Sequence, residues 1–183
     1  MMWWQNWRMQ MYYIRKLSKL STVSKIKNIT SIDETPADLL KQELPTTGNT
    51  LSFWRCESLD DVKDTMKAIL LSTTGIEKSR FIIFDDSMLE FYDIQRDLSK
   101  EGKTGYLGYE NLHVDFCDLT YRKIGCILNM IKEVLDNEQM NIELSKECVK
   151  SYIKEVCDAG LLNEEKTDEH LLADIKKYGL YAT

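Results

Sequence analysis

Few residues in this sequence interrupt regular secondary structure. Only two prolines and eight glycines occur in 183 residues, and these are the residue types that most often break helices and strands. Their scarcity argues against a disordered chain and against a loop-rich β-sandwich. Because 43% of the residues are hydrophobic, the chain is able to bury a substantial core.

Other absences bear on location and chemistry. No run of 18 apolar residues is present, so we expect no membrane-spanning helix. No apolar segment follows the basic start, as an ordinary signal peptide requires. The five cysteines are odd in number and none has CxxC spacing, which predicts reduced thiols in a cytoplasmic protein rather than disulfides or a zinc finger.

Acidic side chains are absent from residues 1–32, which carry six basic ones. The whole chain has 24 basic and 30 acidic side chains, so residues 33–183 hold 18 basic and 30 acidic groups, a charge of −12. Such a body repels nucleic acid and favours a protein partner with a basic surface. The alternative is that the charge only keeps the domain soluble.

The segment of residues 1–32, here called the leader, is rich in aromatic and basic residues. At helical spacing its tryptophans share a face with Met11, Ile14 and Leu17, which predicts an amphipathic helix. The candidate partner-binding residues are Trp3, Trp4, Trp7, Met11, Arg8 and Arg15. This face could dock on its own domain, enter a groove of another protein, or lie through residues 1–28 on an anionic membrane surface. A true start at Met9 or Met11 would remove the tryptophans.

The pattern of the remaining chain predicts an α+β fold. Strands are expected near residues 50–56, 80–84 and 111–117, with helices near 58–72 and 120–136. The first two strands and the helix between them predict a parallel βαβ unit with a right-handed crossover. With an edge strand at about 89–95, the result is a small mixed sheet of three to four strands packed by helices.

Three segments are predicted from these patterns: the leader at 1–32, an α+β core domain at 33–140, and a helical C-terminal segment at 141–183. The last segment reads as two helices, with Gly160 ending the first. The pattern makes no prediction about oligomeric state.

Two aspartates directly follow the apolar run RFIIF. Asp85 and Asp86 would lie at the carboxyl end of a buried strand, where open α/β sheets bind ligands. If Asp115 of a neighbouring strand joined them, the cluster could bind Mg²⁺ and support phosphoester hydrolysis. The alternative is that these aspartates only cap and end elements of structure.

The other polar constellations predict no cofactor and no metal site. Residues 97–104, DLSKEGKT, place an aspartate where a phosphate loop needs its first glycine. His113, Asp115 and Cys117 alternate along one strand face, too far apart to share one ion without further ligands, so a solvated polar face is expected.

The leading functional hypothesis is therefore a non-catalytic, acidic binding module for a basic protein, comparable in charge and size to immunity proteins, antitoxins or small subunits of complexes. The alternative is a metal-dependent phosphoester hydrolase that uses Asp85 and Asp86. A weaker alternative is a peripheral membrane or assembly anchor that acts through the leader.

Overall fold

The chain forms one antiparallel sheet of six strands. A computed structural model describes residues 10–17, 22–31 and 34–181. The strands are β1 (Tyr12–Leu17), β2 (Leu51–Cys56), β3 (Ser79–Asp85), β4 (Gln95–Asp97), β5 (His113–Cys117) and β6 (Asn141–Leu144). Their order across the sheet is β4-β5-β2-β1-β3-β6, and every neighbouring pair is antiparallel. The α+β class is confirmed, whereas the predicted mixed sheet of three to four strands is wrong.

The error begins with the predicted βαβ unit. Strands β2 and β3 run in the same direction, because each is antiparallel to β1. They are not neighbours, however, since β1 lies between them and forms hydrogen bonds with both. The strand that separates them comes from the leader, for which the sequence pattern predicted a helix.

The helix prediction is wrong for residues 12–17 of the leader. Tyr13 and Leu17 pack into the core on one face of the sheet, and Ile14 packs on the other. Tyrosine and isoleucine favour strands, and a strand buried on both faces carries apolar residues on both sides. Ile14 and Leu17 are three residues apart, so the same residues also satisfied the helical pattern.

Seven helices occur within the described ranges. They are α1 (Thr22–Lys27), α2 (Ala37–Glu43), α3 (Val62–Leu70), α4 (Asp86–Phe91), α5 (Tyr121–Val134), α6 (Lys146–Asp158) and α7 (Glu169–Lys177). Apolar residues of α1, α2, α4 and α5 join the core on one face of the sheet. Those of α3, α6 and α7 join the core on the other face, so the sheet is the middle of three layers.

The predicted helices at 58–72 and 120–136 and the two C-terminal helices are confirmed as α3, α5, α6 and α7. Thr120 and Ser145 cap α5 and α6 by accepting hydrogen bonds from backbone N–H groups of the first turn. The predicted edge strand at 89–95 is wrong, because α4 occupies residues up to Phe91 and β4 begins only at Gln95. Strand β6 was not predicted.

The segment between β4 and β5 lies closely on the sheet and on α3. The buried Thr104 hydroxyl donates to the carbonyl of Ala68 at 2.7 Å. Gly102 passes so close to Trp54 that a Cβ atom there would lie 2.4 Å from the indole ring. The glycine therefore permits this close approach of backbone to ring.

Candidate functional site

Asp85 and Asp86 are occupied with structural contacts. Asp85 caps α4, because its side chain accepts hydrogen bonds from the backbone of Met88 at 3.0 Å and from the hydroxyl of Ser87 at 2.6 Å. The capping role was the alternative to a metal site at this position.

The Asp86 carboxylate joins the start of β1 to β4. It accepts hydrogen bonds from the Tyr13 hydroxyl at 2.8 Å and from the Met11 backbone N–H at 3.3 Å, and it forms a salt bridge with Arg96. Burial and the hydrogen bond to Asp86 raise the pKa of Tyr13 to about 12, although Arg96 opposes the shift. The tyrosine therefore stays neutral as a donor.

Asp115 lies far from these two aspartates. Asp115 is paired with Ser52 of β2. Asp85 is paired with Tyr12 of β1, and Tyr12 is paired on its other side with Cys56 of β2, four residues from Ser52. Four residues along a strand are about 13 Å, and the three strand spacings between β5 and β3 are about 14 Å, which gives about 20 Å in total. Within the part of the chain that the structure describes, no group of three or more His, Cys, Asp or Glu residues is placed to hold a metal.

The polar face of β5 is less solvated than predicted. Asp115 is buried; it accepts a hydrogen bond from Ser52 at 3.0 Å and forms a salt bridge with Lys100 at 2.9 Å. The His113 ring lies 3.6 Å from the same carboxylate. Because a buried charge needs such partners, this cluster attaches the segment after β4 to the sheet.

The predicted partner-binding residues have different locations. Trp3, Trp4, Trp7 and Arg8 lie outside the described residues. Arg15 points inward and donates to the backbone carbonyls of Glu43 and Ser52. Burial lowers the pKa of Arg15 to about 10. Arg15 therefore contacts the protein interior, and of the two described members of this set only Met11 lines a surface hollow.

Other cations of the leader are also matched within the fold. Lys16 pairs with Glu77 at 2.7 Å, and Lys27 pairs with Asp136. The apolar residues Ile14 and Leu17, on which the membrane-surface alternative depended, are buried in the sheet. Part of the charge difference between leader and body is therefore satisfied inside one molecule.

The candidate site is a hollow of about 320 Å³ where β2 ends and α3 begins. One wall comes from the end of β2, a second from the first turn of α3, and a third from the residues that precede β5. Met11 closes the remaining side. The lining residues are Met11, Arg55, Cys56, Glu57, Asp61, Asp64, Thr65, Tyr109, Asn111 and Leu112.

Negative charge predominates in this hollow. Among the described residues, three carboxylates and the guanidinium of Arg55 line it, a formal excess of two negative charges. Lys67 pairs with Asp64 at 2.8 Å and compensates one of them. Burial opposes the charge on Lys67, but hydrogen bonds to Asp64 and Glu155 outweigh it and raise the pKa of this lysine. Glu57 forms no ion pair with any described residue.

One aromatic side chain, Tyr109, lines the hollow beside Asp64. The rings of Tyr106 and Tyr109 stack at 4.0 Å between centroids, 11° from parallel. Burial, together with hydrogen bonds to Tyr106 and Asp64, raises the pKa of Tyr109. The hollow thus offers a neutral aromatic surface beside negative charge.

The thiol in the hollow is not activated. Burial raises the pKa of Cys56 to about 11, so the thiol is protonated at neutral pH and is a poor nucleophile. Neither His113 nor His170 lines the hollow. The arrangement is suited to binding rather than to covalent catalysis.

One buried hydroxyl of the hollow lacks a strong partner. Thr65 is fully buried, and its hydroxyl makes no hydrogen bond to an oxygen or nitrogen atom of the described chain. Its polar neighbour is the thiol of Cys56, which is only a weak hydrogen-bonding group.

No protein-family model, curated protein or solved structure matches the chain. No helix within residues 10–17, 22–31 and 34–181 is both long enough and apolar enough to cross a membrane.

Sequence reasoning missed most of this hollow. Acidic residues at 57, 61 and 64 follow helical spacing around the start of α3, and this signal alone could have shown an acidic helix face. Met11 and Tyr109 are distant in sequence from that helix. Only the strand order brings them to it.

Proposed function

We propose that this protein is a non-catalytic binding module that recognises a protein partner with a basic surface. The acidic hollow between β2 and α3 takes a lysine or arginine side chain of that partner. This role is comparable to those of immunity proteins, antitoxins and small subunits of complexes, an analogy of charge and size alone. The observation that carries the proposal is the excess of carboxylates among the described residues that line the hollow.

The walls of the hollow fit both parts of a long basic side chain. Lysine and arginine place an apolar stem against apolar surface and keep the charged head near polar groups. Met11, Leu112 and the ring of Tyr109 supply the apolar surface, and Glu57, Asp61 and Asp64 supply the negative charge.

The size of the hollow favours a side chain over a larger ligand. Its volume of about 320 Å³ is at the lower end of the range for small-molecule sites, about 300–1,000 Å³. Protein interfaces often depend on a few anchoring side chains that fill such pockets, with arginine among the most frequent. Charge complementarity then accelerates the encounter and excludes acidic proteins.

The first experiment tests the hollow with defined probes. Acetyl-Gly-Lys-Gly-amide and acetyl-Gly-Arg-Gly-amide are titrated at low salt, and the backbone resonances of Cys56, Thr65 and Tyr109 are followed by NMR. The peptide with neutral norleucine in place of lysine is the control ligand. We expect saturable shifts with the basic peptides only, weaker at higher salt because screening reduces attraction between exposed charges.

Matched variants make the test specific. In Glu57→Gln/Asp61→Asn we expect about fivefold weaker binding, on the order of 1 kcal/mol. The variant Glu138→Gln/Glu147→Gln removes the same charge from exposed positions elsewhere and should bind like the wild type. Equal weakening in both variants would show a general charge effect and would contradict the assigned site.

The natural partner is sought by affinity purification at low salt. We expect a stoichiometric basic protein that is retained by Glu138→Gln/Glu147→Gln and lost by Glu57→Gln/Asp61→Asn. If no stoichiometric partner is recovered, or if the partner is retained by both variants, the proposed function is wrong.

A further inference from the structure

Three lysines surround one tyrosine ring on the side of the molecule that carries α6 and α7. The amino groups of Lys146, Lys150 and Lys177 lie 5.0, 4.2 and 5.4 Å from the centroid of the Tyr178 ring. Lys146 also donates a hydrogen bond to the Tyr178 hydroxyl at 2.9 Å. We call these four residues the lysine cluster.

The cluster lysines differ from several other lysines of this acidic protein, which pair with a carboxylate. Lys63, Lys123 and Lys166, for example, each pair with a carboxylate within 3 Å. Among the described residues, no carboxylate lies within salt-bridge distance of any of the three cluster amino groups. Asp174 and Glu147 are close enough to act on Lys146 electrostatically, but neither forms a salt bridge with it.

The positions of the lysines concentrate positive charge. Lys146 and Lys150 are four residues apart on α6, which places them on one face of that helix, where like charges repel each other. Lys177 comes from the last turn of α7 and adds a third charge beside them. The measured distances to one centroid place any two of the three amino groups within about 10 Å of each other.

From this arrangement we infer that the lysine cluster binds a phosphate group. Three ammonium groups on flexible stems can each donate to an oxygen of one phosphate, and lysine commonly binds phosphate as a point charge. A phosphate monoester carries nearly two negative charges at neutral pH and three strong acceptor oxygens, which suits three converging cations better than a single carboxylate does. The same chemistry is offered by a soluble phosphate ester and by a phosphate headgroup on a lipid surface.

A purely structural role predicts different behaviour. Lysines near the end of α7 interact favourably with its dipole, and cation–π contacts with Tyr178 add to this. Lys146, however, is the first residue of α6, where the dipole opposes a positive charge. If the cluster were only structural, phosphate would have no localised effect there.

The test follows the backbone resonances of Lys150 and Tyr178 by NMR during titration with inorganic phosphate and then with glycerol phosphate. Sodium chloride at matched ionic strength is the control. We expect saturable shifts at these two residues with both phosphates and none with chloride. Absence of saturable shifts in the wild-type protein would overturn the inference.

Variants test whether these lysines bind the phosphate. Lys146→Gln/Lys150→Gln should weaken phosphate binding about fivefold or more, whereas Lys146→Arg/Lys150→Arg should retain it, since arginine keeps the charge. Lys41→Gln/Lys103→Gln removes two exposed lysines elsewhere and should change nothing. Equal weakening in both glutamine variants would also refute the site.

The source of the phosphate is distinguished by sedimentation with vesicles of phosphatidylcholine, alone or with phosphatidic acid. Cosedimentation that requires phosphatidic acid and Lys146 and Lys150 identifies a lipid headgroup. Soluble-phosphate binding without cosedimentation identifies a free phosphate ester.

Discussion

Asp86 was the residue most strongly suggested for metal chemistry, and the structure gives it a different role that mutation can measure. Replacing Asp86 with asparagine preserves the size of the side chain and removes its charge. Asp86 lies in the first turn of α4 and joins it to Met11 and Tyr13 at the start of β1 and to Arg96 of β4. We therefore expect the variant to be folded but less stable.

The magnitude follows from the contacts. Asp86 accepts hydrogen bonds from Tyr13, Met11 and the charged Arg96. The side chains of Asp86 and Arg96 are 27% and 31% exposed, so the pair is partly shielded from water. A hydrogen bond to a charged group contributes about 1.5–3 kcal/mol, and asparagine has one acceptor oxygen where the carboxylate has two. Its amide nitrogen would face one of the three donors.

We expect the free energy of unfolding to fall by about 2–3 kcal/mol. This is the contribution of one hydrogen bond to a charged group, which the single acceptor oxygen of asparagine replaces only in part. For a domain of this size that corresponds to a decrease in Tm of about 5–10 °C. The measurement is urea unfolding followed by circular dichroism, with Glu138→Gln as a control that removes an exposed charge. The control should remain within about 0.5 kcal/mol of the wild type.

A double-mutant cycle separates the ion pair from the other contacts. Asp86→Asn and Arg96→Met are measured singly and together, and we expect a coupling energy of about 1 kcal/mol or more because the two groups are in direct contact. Additive effects, or an Asp86→Asn variant as stable as the wild type, would show that the contact contributes little. Mg²⁺ is expected to leave the Tm of the wild type unchanged, and a rise that Asp86→Asn abolishes would restore the hydrolase hypothesis.

Two further predictions concern packing and pH. Gly105→Ala should destabilise the protein by about 1–3 kcal/mol by overpacking, because the new Cβ would lie 1.9 Å from the hydroxyl oxygen of Thr167. Thermal unfolding measures the effect. The control Gly75→Ala should be tolerated in the same assay, because its Cβ meets no atom closer than 3.5 Å. Tyr13 holds its proton up to about pH 12 in the folded state but only to about pH 10 in the unfolded state, so its contribution to stability is complete below pH 10 and is lost as the pH rises towards 12. Urea unfolding between pH 9 and 12 should therefore show a shallower loss of stability in Tyr13→Phe, and an unchanged slope would contradict the assignment.

Local patterns predicted α3, α5, α6 and α7, because a core-facing helix repeats within its own sequence. The apolar stripe of α5 and the capping residue Thr120 are both visible without knowledge of any partner. Strand β5 was also predicted, because Val114 and Phe116 alternate with polar residues and pack into one core.

The strand order could not be predicted in the same way, because strand pairing joins residues that are distant in sequence. Strand β1 has apolar residues on both faces, so its pattern fits a helix as well as a buried strand. Strands β4 and β6 have three and four residues, too few for a periodic signal, and each pairs on only one side. Once β1 was assigned to a helix, β2 and β3 became neighbours by default, and the sheet acquired the wrong topology.

The candidate site depended on that topology. The acidic residues around the start of α3 are visible in the sequence, but nothing in that pattern shows which other segments face them. Met11 reaches the hollow because β1 lies beside β2 in the sheet. A site built from three separate segments can therefore be predicted only when the arrangement of those segments in the fold is predicted.

The fold also determines which charged side chains remain available to a partner. In the sequence, the basic leader and the acidic body suggested two surfaces that face different partners. In the fold, Lys16 and Lys27 of the leader pair with Glu77 and Asp136 of the body. A charged side chain that already forms an ion pair within the molecule gains little from a partner, because the partner must first displace the intramolecular counter-ion. Glu57 and the other carboxylates of the hollow are therefore the better source of salt-sensitive binding, and the salt dependence of partner association should be altered by substitutions in the hollow and not by substitutions at Lys16.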